Sequence, residues 1–556
     1  MTARRERRVF RGPVAGLLLL AAQLGFGQGS EAPSTETNPV SRADLERLGA
    51  TIRAVHITVD NVFDLTNPEE DKKLYRWANR VHVRTHDNAI ASVLLFHVGD
   101  SFSSRQLEES ARALRNRGYL AAATVEPHGY DAATNSVEVE VRVRDSWTLA
   151  PDVRLSRSGG KNKYTIGISD SNTLGSGKRI TALHSSNVDR NETLIGYTDA
   201  NVRGSRVTLN VAAADNTDGH RRELEAERPF YSLDTRWSLG GATIDQQRVD
   251  TMYDLGHEID EFRHDTKLLS LTGGVSGGVV GNLTRRWLFG VASDEDRFLP
   301  TPATPVPKLL PQDRKLVYPW IGWQLLVDDY REMSELQDIG RTEDVSLGWN
   351  VSATIGFAKR QFGSDRDATL LNTQLQKGWE TGGAGRLLLF SAGASTRFER
   401  DESRNTQISI NARYFQRNHE KNLFSVSLSA LVTQRIDLEN QVLIGGDNGL
   451  RGYPLRYQAG ERSAILNVEQ RFFTDWYPWR LFRVGYAVFV DAGRVGGRDP
   501  RANPTLGTLY DVGMGLRLSS PRSSGRNVVH IDLAFPLNRT PAIDRSQLVV
   551  ETRNSF

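Results

Sequence analysis

From residue 151 to residue 556 the chain repeats one pattern: apolar and polar side chains alternate over segments of roughly ten residues. Gly, Asn and Asp separate the segments, as they do in antiparallel hairpins. Clear segments are residues 180–187, 193–200, 206–213, 345–355, 387–396, 408–414 and 425–432. The pattern predicts a mainly β fold, a transmembrane antiparallel barrel of about sixteen strands. A soluble propeller or sandwich would show similar spacing, so alternation alone leaves both fold classes open.

Two features of this region favour the membrane. In the expected strand 482–494, Tyr486, Val488 and Val490 share one face, whereas small and polar residues share the other. Three aromatic residues crowd into the short segment 475–479, as they do in the aromatic belts of membrane interfaces. We therefore expect the apolar face to meet lipid and the polar face to line a lumen.

The pattern changes before residue 151. Residues 53–59 alternate as a strand, and a polar, partly helical stretch follows. Leu107, Ala111 and Leu114 then recur with helical spacing, and two further strands follow. The order predicts a small α+β domain of the type β-α-α-β-β over residues 52–147.

The first fifty residues divide into two parts. A basic head and a short apolar stretch have the layout of a secretory signal, so residues 1–27 are expected to be a signal peptide. The Pro-, Ser- and Glu-rich residues that follow predict a linker over 28–51.

Composition narrows the possible functions. The 70 Lys and Arg residues nearly balance the 67 Asp and Glu residues, which argues against a nucleic-acid binder. The chain has no cysteine, so disulfides and thiolate metal sites are excluded. We find no nucleophile motif or metal-binding motif, and we predict no enzyme activity and no cofactor or metal. The acidic clusters 294–296 and 328–329 leave calcium binding open, although solvated loops are the more common setting.

The small domain resembles a known family. Residues 96–102 (FHVGDSF) and 114–120 (LRNRGYL) are similar to the polypeptide-transport-associated (POTRA) domain. The resemblance implies a periplasmic domain that offers a sheet edge to client polypeptide. The alternative is an unrelated small α+β module.

The most specific motif is residues 444–454, IGGDNGLRGYP. It resembles the Arg-Gly-aromatic loop of the bacterial surface-antigen (BamA/TamA) superfamily, which includes the two-partner secretion transporters. The resemblance implies a barrel over residues 151–556 whose loop 442–460 folds back into the lumen, with about five strands after it.

The residues of the loop have expected roles. The guanidinium of Arg451 can bind a carboxylate through two bonds. The resemblance implies Asp491 as its partner, and Glu469, on the inner face of its expected strand, is the second candidate. Gly445, Gly446 and Gly452 permit backbone close to the wall, and Leu450 and Tyr453 complete the motif. The alternative is a solvated loop arginine that contributes little.

The end of the chain carries a further resemblance. Outer-membrane barrels typically finish on a strand with a terminal aromatic residue, and Leu548, Val550 and Phe556 are similar to that pattern. The resemblance implies recognition of this strand by the assembly machinery.

Together these features predict a Gram-negative outer-membrane barrel. The resemblance implies that it assembles or translocates polypeptides through a POTRA domain and a laterally opening barrel. Alternatives are a two-partner-secretion transporter and a passive pore or structural barrel. Expected partners are client polypeptides, outer-membrane lipid and periplasmic or lipoprotein accessory factors, but no nucleic acid. The sequence does not identify the client.

Overall fold

The computed structural model describes residues 40–336, 339–382, 385–497, 499, 503, 505–524, 528–541 and 543–553. The predicted signal peptide, most of the predicted linker and Phe556 lie outside these residues. Among the described residues, no helix combines the length and the apolarity needed to cross a membrane.

The N-terminal domain contains four helices and three strands. In chain order they are α1 (Arg42–Arg47), β1 (Thr51–Asp60), α2 (Lys73–Val81), α3 (Asp87–Ala91), α4 (Ser104–Arg115), β2 (Leu120–Asp131) and β3 (Ser136–Asp145). The expected order had two helices between the first two strands, and the described residues contain three. The five residues of α3 are too few to show a helical repeat in sequence.

The core of this domain lies between its sheet and its helices. β3 is central, parallel to β1 and antiparallel to β2. Leu107 and Leu114 of α4 are fully buried in the same cluster as Val139 and Val141 of β3. Leu45 of α1 joins this cluster, so residues 42–47, which were expected in the linker, form part of the domain.

Twenty strands of the described chain close into an antiparallel barrel. Six strands come first: β4 (Leu149–Ser158), β5 (Lys161–Asp170), β6 (Lys178–Ser186), β7 (Asn191–Asp199), β8 (Thr208–Asn216) and β9 (Gly219–Arg228). The next ones are β10 (Trp237–Asp254), β11 (His257–Val280), β12 (Leu283–Leu299), β13 (Arg314–Val327), β16 (Asn350–Ala358) and β17 (Ala368–Glu380). The last eight are β18 (Arg386–Glu399), β19 (Glu402–His419), β20 (Asn422–Gln434), β23 (Arg462–Phe473), β24 (Arg483–Gly496), β25 (Leu509–Ser519), β26 (Val528–Pro536) and β27 (Gln547–Arg553).

The prediction of about sixteen strands is therefore wrong, whereas a closed antiparallel barrel is confirmed. β9 shows why the count was low: its only apolar side chains are Leu224 and Ala226, among six charged residues. Apolar alternation over so few positions is a weak signal for a strand. β9 forms because it pairs with its neighbouring strands in the sheet, which its own sequence does not indicate.

The barrel wall is uneven in height. We call the end that faces the N-terminal domain the near end and the opposite end the far end. β4–β9 have 9 or 10 residues each, whereas β10 has 18 and β11 has 24. Leu239 and Leu271 are exposed on the outer face of the tall hairpin, and the outward pair Asp245 and Lys267 follows toward the far end. The tall strands thus extend beyond the apolar band at the far end.

Two segments fold toward the lumen from opposite ends. At the far end, loop 442–460 contains the short strands β21 (Val442–Ile444) and β22 (Gln458–Gly460). At the near end, a hairpin of β14 (Tyr330–Ser334) and β15 (Thr342–Ser346) joins β13 to β16. Its residues Leu336 and Ile339 are buried in one cluster with side chains from the barrel wall, which are Leu387, Phe415, Leu423, Phe473 and Val528.

The first and last strands of the barrel meet in a weak seam. Among the described residues, β27 and β4 share one register pair, Val550 with Arg157, near the far end of β4. β4 and its other neighbour β5 are paired at ten positions, from Leu149–Asp170 to Ser158–Lys161.

Candidate functional site: a buried arginine in the lumen

Loop 442–460 is folded tightly before it enters the lumen. The Leu450 N–H donates to the Gly445 carbonyl (3.1 Å), and the Tyr453 N–H donates to the Leu450 carbonyl (3.0 Å). The Asn448 side chain accepts from the Gly445 N–H (2.6 Å) and donates to the Leu443 carbonyl (2.6 Å). These local bonds satisfy backbone groups within the turn that presents Arg451.

Arg451 lies inside the wall formed by β23 to β26. Its side chain is 5% exposed, and its guanidinium grips Asp491 of β24 through Nε (2.7 Å) and Nη2 (2.8 Å). The guanidinium carbon lies 3.3 Å from the ring centre of Phe489. A bidentate carboxylate contact combined with ring stacking is a geometry available to arginine and not to lysine.

The second expected carboxylate also reaches Arg451. Nη1 lies 3.0 Å from Glu469 of β23 and 3.2 Å from Asp532 of β26. Asp532 is an additional partner of Arg451 that was not expected. Asn467 donates to Asp491 (2.8 Å) and to the Gly449 carbonyl (2.7 Å), which ties the loop to the same wall.

Two further arginines complete the network. Arg517 of β25 pairs with both Glu469 (2.9 Å) and Asp532, and Arg471 pairs with Glu469 (2.8 Å). Three guanidinium groups thus share three carboxylates in a buried site. The sequence carries a usable signal for them, because each occupies an inward position in the alternation of its strand.

The predicted alternation of the wall is observed. Ala487, Phe489 and Asp491 of β24 are buried, whereas Val488 and Val490 are exposed on the outer face. Val484 is an exception to the expected outward set because it is 7% exposed.

The neighbours of Arg451 hold the loop against the wall. The hydroxyl oxygen of the fully buried Tyr453 lies 2.9 Å from the Tyr510 carbonyl oxygen and 2.6 Å from the side-chain oxygen of Asn538. Leu450 is also fully buried and lies beside Gly493.

Three glycines of the motif lie where a larger residue would clash. A Cβ at Gly445 would lie 2.5 Å from the Pro454 carbonyl oxygen. A Cβ at Gly452 would lie 2.7 Å from the Cβ of Asp511 and 3.1 Å from the Pro536 nitrogen. A Cβ at Gly446 would lie 2.4 Å from the Tyr453 carbonyl oxygen.

A second arginine of the loop reaches another part of the far end. Arg456 makes two bonds to Asp189 in the turn between β6 and β7, of 2.6 and 2.7 Å. Its guanidinium also lies over the ring of Tyr253, 4.3 Å from the ring centre. The loop is thereby tied to the short wall as well as to the wall that holds Arg451.

The remaining predicted residues lie elsewhere. Leu548 is exposed on the outer face of β27, and Val550 forms the seam pair. Asp294–Asp296 lie in β12 near its far end, and Asp296 is paired with His264 (3.0 Å) and Arg314. Within the described residues, no group of three or more metal-ligating side chains has the arrangement to hold an ion.

The N-terminal domain is bound to the near end by the arginines of α4. Arg112 pairs with Asp328 (3.0 Å), and Arg115 pairs with Glu332 (2.8 Å) and Asp344 of the near-end hairpin. Arg105 reaches Asp234 in the turn between β9 and β10. Ion pairs between α4 and the near end thus join the two expected domains.

Part of the N-terminal domain matches a known protein family. Residues 81–145 match the family model described as POTRA, the surface antigen variable number repeat. The chain carries a POTRA domain in front of a barrel. The predicted resemblance of the N-terminal domain to POTRA is confirmed.

Solved structures with an overall likeness include BamA from Haemophilus ducreyi lacking POTRA domains 1–3 and CdiB from Acinetobacter baumannii and from Escherichia coli. Identity is 12% in each case, and TM-scores are 0.39, 0.45 and 0.36. The alignments cover 91%, 91% and 94% of this chain and 85%, 73% and 92% of those chains. Among curated proteins, no significant match was found.

Proposed function

We propose that this protein inserts or exports polypeptides at the outer membrane of a Gram-negative bacterium. The POTRA domain and the near end would lie in the periplasm, and the far end would face the outside. The exposed apolar band on the barrel and the POTRA match support this placement. A closed barrel also suits a lipid environment, because it pairs backbone groups whose exposure to lipid would be costly.

The observation that carries the proposal is the seam. Among the residues that the structure describes, one register pair joins β27 to β4, whereas β26 and β27 share seven. Each unpaired backbone group in lipid costs several kcal/mol, so a client strand that pairs with this edge would be stabilised strongly. The seam is thus the place where the wall opens at the lowest free-energy cost.

The Arg451 network has a complementary role in this proposal. It fixes loop 442–460 to β23, β24 and β26, which leaves the last strands of the barrel rigid up to the seam. Opening would then be confined to β27 and β4 instead of spreading along the wall. Arg451 is thus a positioning residue, with Asp491, Glu469 and Asp532 as its anchors.

A disulfide lock tests the seam. The native chain has no cysteine, so Val550→Cys with Arg157→Cys introduces one bridge across the seam pair. The matched control joins Val550→Cys to Ile531→Cys, which are direct partners across the complete β26–β27 ladder. The readout is insertion of a urea-unfolded eight-stranded outer-membrane barrel into proteoliposomes, scored by protease protection.

The expected result is loss of insertion by the oxidised seam lock and recovery after reduction, with the control active in both states. Full activity of the oxidised seam lock would contradict a laterally opening barrel. In that case, ion conductance that persists in the locked protein would favour export through the lumen, as in two-partner secretion, or a passive pore.

A further inference from the structure

Helix α2 of the POTRA domain leaves a stripe of apolar side chains uncovered. Leu74, Trp77 and Val81 are spaced three and four residues apart, so they share one helix face. Their exposed fractions are 56%, 57% and 49%. The adjacent face of the same helix is buried through Tyr75 and Ala78, so the helix is docked and only part of its apolar surface is covered.

The buried face of α2 is docked on the barrel itself. Tyr75 and Ala78 pack in one cluster with Val62 and Phe63, and Leu481 of the turn between β23 and β24 packs against this cluster. The Tyr75 hydroxyl donates to the Trp479 carbonyl in that turn. The helix is thereby held at the near end, beside the outer surface of the wall.

The turn that receives α2 carries its own exposed aromatic residues. Trp476 is 63% exposed and Trp479 is 68% exposed, and Phe482 and Tyr486 continue the exposed aromatic surface onto β24. Tryptophan and tyrosine concentrate at membrane interfaces because their rings are apolar and their N–H or O–H groups are polar. The uncovered stripe of α2 is therefore continuous with the outer face that the barrel presents to lipid.

The charge around α2 fits a lipid surface. Residues 72–84 contain five basic side chains, Lys72, Lys73, Arg76, Arg80 and Arg84, and no acidic one. All five are exposed. An apolar face flanked by Lys and Arg is the pattern of helices that lie in the interface plane, where the basic groups meet lipid phosphates.

From these observations we infer that α2 is an interfacial anchor that inserts Leu74, Trp77 and Val81 into the periplasmic leaflet of the outer membrane, with the flanking basic residues on anionic headgroups. The inference rests on the proposed membrane location and adds a lipid-binding surface to the POTRA domain.

The position of the anchor relates it to the seam. Glu70 contacts Arg522 in the turn between β25 and β26, and the His86 N–H donates to Gly175 (2.9 Å) in the turn between β5 and β6. Residues 70–86 therefore run beneath the strands on both sides of the seam. Lipid bound to α2 would hold this part of the POTRA domain where a client approaches.

Site-directed spin labelling of the full chain in lipid vesicles tests the inference. Single cysteines replace Leu74 and Val81 in turn, so Trp77 remains in place. The matched control is Leu48→Cys, which is 49% exposed and directly follows α1 in the same domain. The relative access of oxygen and of a water-soluble nickel chelate to each nitroxide gives its depth in vesicles of phosphatidylethanolamine and phosphatidylglycerol. Heat-modifiable gel mobility verifies that each labelled barrel is folded.

Labels at 74 and 81 are expected to lie roughly 5–10 Å into the headgroup–acyl boundary, with the label at 48 in water. Replacing Lys73, Arg76 and Arg80 by Gln is expected to make the label at 81 shallower. Nickel access at 74 and 81 equal to that at 48 in a folded barrel would overturn the anchor. A label that is shielded only when a periplasmic protein fraction is added would also overturn it, in favour of a protein partner. The seam lock reports on client insertion, so the anchor and the proposed function fail independently.

Discussion

Arg451 is held both by ion pairs with carboxylates and by stacking on an aromatic ring. Its bidentate contact with Asp491 fixes the plane of the guanidinium, and the ring of Phe489 supports that plane from one side. Glu469 and Asp532 are in turn shared with Arg517. Removing one partner from a buried ion-pair network costs several kcal/mol of stability, because the remaining charges stay buried without compensation.

Arg451→Ala is expected to destabilise the folded barrel by about 3–5 kcal/mol, as for one partner removed from a buried ion pair. Arg451→Lys keeps the charge but loses the two-bond contact, so it should recover only part of this loss. The measurement is the free energy of unfolding in guanidinium, with the protein in detergent micelles. Arg331→Ala, which removes an exposed pair with Asp329, is the control and should cost at most about 1 kcal/mol. Equal effects at the two positions would contradict a docked Arg451.

Gly452→Ala tests the shape of the same site. The added Cβ would lie 2.7 Å from the Cβ of Asp511, so the loop must move away from the wall. We expect protease cleavage within residues 442–460 to become faster while the remaining barrel stays resistant. Gly277→Ala is the control, since its Cβ would meet no atom within 4 Å. Unchanged protection of the loop in Gly452→Ala would show that the contact with Asp511 is not limiting.

At the scale of secondary structure, the sequence predicted the periodicity of individual strands but not the number of strands in the barrel. The inward and outward sets of β24 and β26 follow directly from alternation, and so does the placement of Asp491 and Glu469 in the lumen. The near-end hairpin of β14 and β15 was missed because each strand has five residues, too few to show a period. Its burial depends on side chains such as Phe415 and Leu423, which are distant in sequence.

The POTRA–barrel interface is expected to respond to pH through Glu109 of α4. Burial raises the pKa of its carboxyl above the usual 4.5, although Glu109 accepts a hydrogen bond from the Leu233 N–H (2.8 Å). Because the docked state binds this proton more tightly, the contribution of Glu109 to docking is fully present at pH below 4.5 and is lost as pH rises through the raised pKa.

Glu109→Gln should therefore remove this pH dependence and strengthen docking at neutral pH. The measurement is the urea midpoint of the helical circular-dichroism signal, which reports the POTRA helices, at pH 4 and at pH 7.5. Glu108→Gln is the control, because the Glu108 side chain is 56% exposed and pairs with Arg42 of the same domain. A Glu109→Gln protein with the pH dependence of the native chain would contradict the raised pKa.

At the scale of the whole molecule, a continuous set of contacts links the POTRA domain to the loop. Arg115 of α4 holds the near-end hairpin through Asp344, and Arg471 donates to the carbonyl of Leu336 in that hairpin (3.2 Å). Arg471 also pairs with Glu469, which holds Arg451. Ion pairs and one hydrogen bond to the hairpin backbone therefore connect both inward segments.

Arg115→Ala is expected to loosen loop 442–460 although the two lie at opposite ends of the barrel. Coupling along such contacts is commonly about 0.5–2 kcal/mol, so hydrogen exchange in the loop should accelerate several-fold. Mass spectrometry of peptides from residues 442–460 measures it. Arg42→Ala is the control, since Arg42 pairs with Glu108 and Glu126 inside the POTRA domain. Exchange in the loop that matches the native rate would mean that the ends are independent.

The most direct test of the account asks whether a client strand meets the edge of β4. A photo-crosslinking residue at Arg157 lies at the seam, and one at Ile408 lies on the outer face of β19, which is paired on both sides. During insertion of the unfolded eight-stranded barrel, the account predicts crosslinks to the client at 157 and none at 408. Insertion without crosslinks at 157, or with equal crosslinks at both positions, would contradict it.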